Sequence, residues 1–150
     1  MEKIICQGGF MKKSTKELLE LLKNTKDYKD FSKENYNDLI KADLPSELNK
    51  ILIENNLKKS LVIEKSNLDK TYAYQIFSGV KKPSRDKLLQ LCFGMDLSLD
   101  EVQKLLKTTS YALLYAKDKR DSVIIFALSK NLSVIETNEL LYELNYELFE

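Results

Sequence analysis

The sequence predicts an all-α protein, and three observations carry this. Breakers are scarce, with two prolines and four glycines in 150 residues. Apolar residues recur at three- and four-residue spacing along most of the chain, and no stretch alternates over the length of a strand. Three Ser-x-x-Glu boxes (Ser14/Glu17, Ser98/Glu101 and Ser133/Glu136) have the pattern of helix N-termini, where the two residues cap each other's free amides.

Taken in order, "MEKIICQGGF" reads as a leader and Met11 as a second start. The Ser14 box opens a helix with Leu18, Leu19, Leu21 and Leu22. Residues 24–37 are rich in Lys and Asp, and read either as a weak helix around Tyr28, Phe31 and Tyr36 or as a linker. Pro45, a first-turn residue, opens a helix with Leu48, Ile51 and Leu52 on one face. Short elements follow. One helix spans 59–65, with Leu61 and Val62 expected inward. A second spans 70–77, with Asp69 as N-cap and Gly79 as its left-handed exit. Pro83 and Ser84 start a helix with Leu88, Leu89 and Leu91, and the last two boxes start two more.

An echo links the last elements. Residues 84–114 align without gaps on 119–149, a shift of 35, with nine identities in 31 positions. Arg85–Asp86 fall on Arg120–Asp121, and these are the only two arginines in the chain. Two independent hairpins obeying the same cap and core rules, or one helix pair duplicated, both fit.

The bulk numbers exclude several classes. Hydrophobic residues make up 43% and charged residues 31%, a soluble, globular composition. The longest apolar run, "VIIFAL", is too short to span a bilayer. Cys6 and Cys92 form no CxxC pair, and a reduced, cytoplasmic protein is expected. There is no histidine and no Gly-rich phosphate loop. The expectation is therefore no enzyme, no cofactor and no metal. Charge is unevenly placed. Net charge is 0 over residues 1–57, +5 over 58–87 and −4 over 88–150. That division points to one anionic partner for the centre and a second surface with another role.

The residues "LKKSLVIEKSNLDKTYAYQIFSGVKKPSRDKLLQLCFGMDLSLDEV", 57–102, carry a resemblance. They are similar to the helix-turn-helix of lambda-repressor-like (Xre-family) DNA-binding proteins. The register runs through Leu57, Val62, Asn67, Asp69, Ile76, Gly79, Lys81–Lys82, Pro83–Ser84, Leu88–Leu89 and Ser98–Val102 without a gap. The likeness extends from Leu48 to Leu106. There are departures. Asn67 stands where the family usually has Gly, Ile63 where it has Ala, and Ala73 where it has Ile or Val. The last two exchange large for small and approximately conserve volume.

The resemblance implies a five-helix lambda-repressor-like domain at 45–110. It would follow an N-terminal leader and helical extension at 1–44 and precede an acidic α-hairpin at 111–150. It implies that Lys70, Thr71, Gln75 and Tyr74 read bases in the major groove. It gives Lys59, Tyr72, Ser78, Lys81, Lys82 and Arg85 to phosphates. Phe77, often polar in the family, is expected to pack inward. Two functions follow. One is a sequence-specific repressor binding double-stranded DNA as a homodimer, with a protein partner at the acidic hairpin. The other is a helix-turn-helix used for protein interaction, as in some antitoxins and phage-encoded anti-CRISPR inhibitors. Low net charge and an aromatic third helix favour the second; the basic loop and polar helix face favour the first.

Overall fold

Every regular element among the described residues is an α-helix. A computed structural model describes residues 13–35 and 42–150. The leader, Cys6, Met11 and Tyr36 lie outside them. Among the described residues, no helix is long and apolar enough to cross a membrane. The chain divides into two units, one up to residue 41 and one from residue 42.

The first unit holds α1 (Thr15–Asn24) and α2 (Tyr28–Glu34). The Ser14 box forms as expected, with Glu17 N–H donating to Ser14 Oγ at 3.1 Å and Ser14 N–H to Glu17 Oε1 at 2.8 Å. Asp27 caps α2 through the Lys29 amide. Leu19, Leu21 and Leu22 are exposed, whereas Phe31 is buried.

The second unit holds α3 (Leu44–Glu54), α4 (Lys59–Ser66), α5 (Lys70–Ser78), α6 (Arg85–Gly94), α7 (Leu99–Thr108), α8 (Lys119–Ser129) and α9 (Val134–Glu143). Asp43 caps α3, and its hydrogen bonds with Ser46 hold the carboxyl below the usual carboxylate range. Leu48 and Leu52 are buried and Ile51 is half-buried.

At the centre is α6, whose residues from Leu88 to Gly94 are all buried. A helix covered all round needs neighbours on every side. One is α4, which approaches at Gly94, where an added Cβ would stand 2.4 Å from the Val62 carbonyl oxygen. Gln90 Nε2 donates to the Ser66 carbonyl across the same contact, and Gln90 Oε1 is buried without a partner. Burial pushes the Cys92 thiol up to about 12 from its ordinary 9.0. The other side of α6 faces α9 and its tail, with the Phe93 and Phe149 rings edge to face at 5.9 Å.

Leu61 corrects one expectation: it is 54% exposed, and Val62 and Ile63 face the core instead. Three consecutive apolar residues span about 200° of a helix, so they cannot all share a face.

Helices α3, α6, α7, α8 and α9 all end alike. A left-handed residue follows each: Asn56, Asp96, Ser110, Asn131 and Asn145, with φ between 53° and 69°. The next amide then donates back to a carbonyl five residues earlier, as from Leu57 to Leu52 and from Tyr146 to Leu141. The two hairpins of the echo repeat each other's bonds. Gln103 brackets the Leu114 amide and carbonyl with its side-chain amide, and Asn138 does the same to Phe149, 35 residues on. Arg85 pairs with Asp121 (2.6 Å), and Arg120 with Asp86 (2.9 Å).

Candidate nucleic-acid interface

The local sequence sets how α5 is presented. Asn67 adopts φ 61°, which turns the chain sharply after α4. Two residues later the Asp69 carboxylate accepts from the Tyr72 amide and fixes the start of α5. Gly79, at φ 88°, closes α5. Between these stops Ala73, Ile76 and Phe77 are buried. Lys70, Thr71, Tyr74, Gln75 and Ser78 recur at the spacing of one helix face, opposite the core. Lys70, Thr71, Tyr74 and Ser78 are exposed and Gln75 is half-buried. A groove beside this face is lined by Ser60, Ile63, Glu64, Leu68, Lys70 and Tyr74.

Lysines flank the face. Lys58, Lys59, Lys70, Lys81 and Lys82 form no ion pair with any described residue, whereas the Lys87 ammonium donates to the Glu150 main-chain oxygen at 3.5 Å. Lys59 is half-buried, with its ammonium 5.1 Å from the Phe77 ring centre. Lys58 is the N-cap of α4 and makes no side-chain cap bond, so the first-turn amides of α4 have no side-chain acceptor. Lys82 stands over the Tyr111 ring at 5.9 Å. The Tyr111 hydroxyl in turn donates to the Pro83 carbonyl at 2.6 Å, tying the basic loop to the following hairpin. Burial raises the pKa of that phenol, and Tyr72 adds to the shift.

The expected residues do not all gather. Lys70, Thr71, Tyr74, Gln75 and Ser78 share one face, and Ser78 Oγ donates to the Gln75 carbonyl at 3.1 Å. Tyr72 lies on the side of α5 turned toward the core, half-buried, with the Lys87 ammonium 5.9 Å from its ring centre. Arg85 departs from the phosphate role expected of it. Its guanidinium is spent inside the molecule, on both Asp121 carboxylate oxygens and on the Ala112 and Leu113 carbonyls. Lys65 pairs with Asp96. Lys58 stands beside the expected set, and the adjacent pair Lys58–Lys59 ahead of a helix was a signal for it.

No family model matches the chain, and neither a curated protein nor a solved structure does.

Proposed function

We propose that the protein is a sequence-specific double-stranded DNA-binding regulator of the repressor type. In this reading α4, the Asn67 turn and α5 form a lambda-repressor-like helix-turn-helix, and α5 enters the major groove. The observation that carries it is the outward face of α5, where Lys70, Thr71, Tyr74 and Gln75 stand together beside lysines that have no acidic partner. The chemistry of these side chains fits base edges. A Gln amide pairs with adenine N6 and N7, a Lys ammonium donates to guanine O6 and N7, and a Thr methyl suits the thymine methyl. Lys59, Ser78, Lys81 and Lys82 then hold phosphates, and the uncapped amides at the start of α4 favour an anion. In this reading the protein binds as a homodimer on a palindromic site, with half-sites about one helical turn apart, as the resemblance implies.

The test is duplex binding by the full chain over a salt series, with random and genomic DNA. Affinity should fall steeply as salt rises while a preferred site persists. Lys70→Ala and Gln75→Ala should each cost about 1–3 kcal/mol at that site and relax its sequence preference. Lys81→Ala should weaken all sequences alike and lower the salt slope by about 1. Absence of duplex binding at low salt would falsify this reading.

That result would favour the helix-turn-helix as a protein-interaction module of the antitoxin or anti-CRISPR kind. One observation supports the alternative: Leu61, Tyr74 and Val80 are large apolar or aromatic residues, and all three are exposed.

A further inference from the structure

We infer that the outward face of α9 is a docking surface for a cationic, amphipathic segment of another protein. Ile135, Glu139, Tyr142 and Glu143 fall on one stripe of α9, and together with Asn138 and Leu148 they line a shallow groove. Ile135 is 61% exposed and Tyr142 73%.

The molecule contains its own control for this face. The hairpin of α6 and α7 matches the hairpin of α8 and α9 in the cap of its second helix, its helix stops and its tail clamps. On α7 the positions matching Ile135, Glu139 and Tyr142 hold Asp100, Lys104 and Lys107, all exposed. The hairpin therefore builds itself with an acid and a lysine at the places where α9 carries Ile and Tyr. Folding does not demand those two apolar side chains, and they line up two turns apart with acids beside them. Single exposed apolar residues need no explanation, but an aligned pair with charged neighbours has the form of helix-in-groove anchors.

Charge selects the partner. No lysine or arginine follows Lys130, and Glu139, Glu143 and Glu147 form no ion pair among the described residues. Such a face repels nucleic acid, an anionic membrane and the same face of a second copy. Exposed ion pairs are individually weak, so Ile135 and Tyr142 serve as the anchors, and the glutamates set orientation and exclude anionic competitors. The inference is independent of the DNA-binding reading.

The probe is a 14-residue Leu/Lys peptide with leucines at helical spacing, followed by fluorescence anisotropy with the full chain. A Leu/Glu peptide of the same pattern is the control. The unaltered protein should bind the Lys peptide and not the Glu peptide, with affinity falling as salt rises. Ile135→Asp combined with Tyr142→Lys, the residues α7 already uses, should keep the thermal melt and weaken binding at least tenfold. Glu139→Lys combined with Glu143→Lys should do the same, which keeps the test decisive if the first pair fails to fold. The inference is overturned if neither peptide binds, if the Glu peptide binds equally, or if the variants bind as the parent does. It is also overturned if the face instead mediates self-association that the variants abolish.

Discussion

Two residues show how closely α4 is fitted against its neighbours. Ile63 is buried where a small residue would leave space, and Ala73 on α5 is small and fully buried. Ile63→Ala should cost about 2–5 kcal/mol, the range for opening a cavity. Gly94→Ala should cost about 1–3 kcal/mol for the opposite reason, because its methyl would collide with the Val62 carbonyl. Backbone cannot rotate away as a side-chain tip can. Urea unfolding of both variants checks this, and an unchanged midpoint for Gly94→Ala would mean that α4 does not approach as closely as described. Ile63 was placed only by the family resemblance, the helix reading having put Leu61 and Val62 inward, whereas Asn67 was readable in the sequence from turn chemistry. Gly94 was not: it lies at the end of a helix, and its reason is a carbonyl 32 residues away, on an element whose crossing point no local pattern encodes.

At the scale of elements the caps were the legible part. Each of the three Ser-x-x-Glu boxes forms both of its bonds, because capping depends on residues three apart. The two arginines were half-legible. Their shared register marked the echo, yet nothing local shows that each pairs with the aspartate of the other hairpin. Arg85 was therefore given to phosphate. The tail clamps were hidden for a simpler reason: Gln103 and Asn138 offer the same amide on side chains of different length, and an identity count passes over them. The two bridges should differ in strength. Asp121 has a side chain only 7% exposed and also accepts from the Tyr115 amide, whereas Asp86 is 32% exposed. Asp121→Ala should cost about 2–3 kcal/mol, below the fully buried range because Arg85 keeps some contact with water. Asp86→Ala should cost about 1 kcal/mol. Chemical denaturation of the two single variants checks the order, and the reverse order would show that burial does not decide the difference.

For the second unit as a whole, α6 decides what can be removed. It is covered by α4 on one side and by α9 with the Phe149 tail on another, so the C-terminal hairpin completes its burial. A chain ending at Ala116 would leave part of this helix facing water and would leave Asp86 without Arg120. Such a chain should lose its sharp thermal transition, as read by circular dichroism. A melt within a few degrees of the full chain would show that the hairpin is an accessory. The all-α class, most helix limits and the outward polar face of α5 were visible in the sequence. The dependence of one hairpin on the other was not, because it rests on which helix lies in the middle.

The crossed arginine bridges bear on one of the two readings of the echo, in which one helix pair is duplicated. Arg85 of one hairpin meets Asp121 of the other, and the matching Arg120 meets Asp86. First position meets second and second meets first, which is the contact rule of a twofold axis between identical bodies. A single ancestral hairpin bearing one Arg-Asp pair would already have been complementary to a copy of itself. Joining two such copies in one chain would then have preserved an existing assembly, with both bridges present from the start.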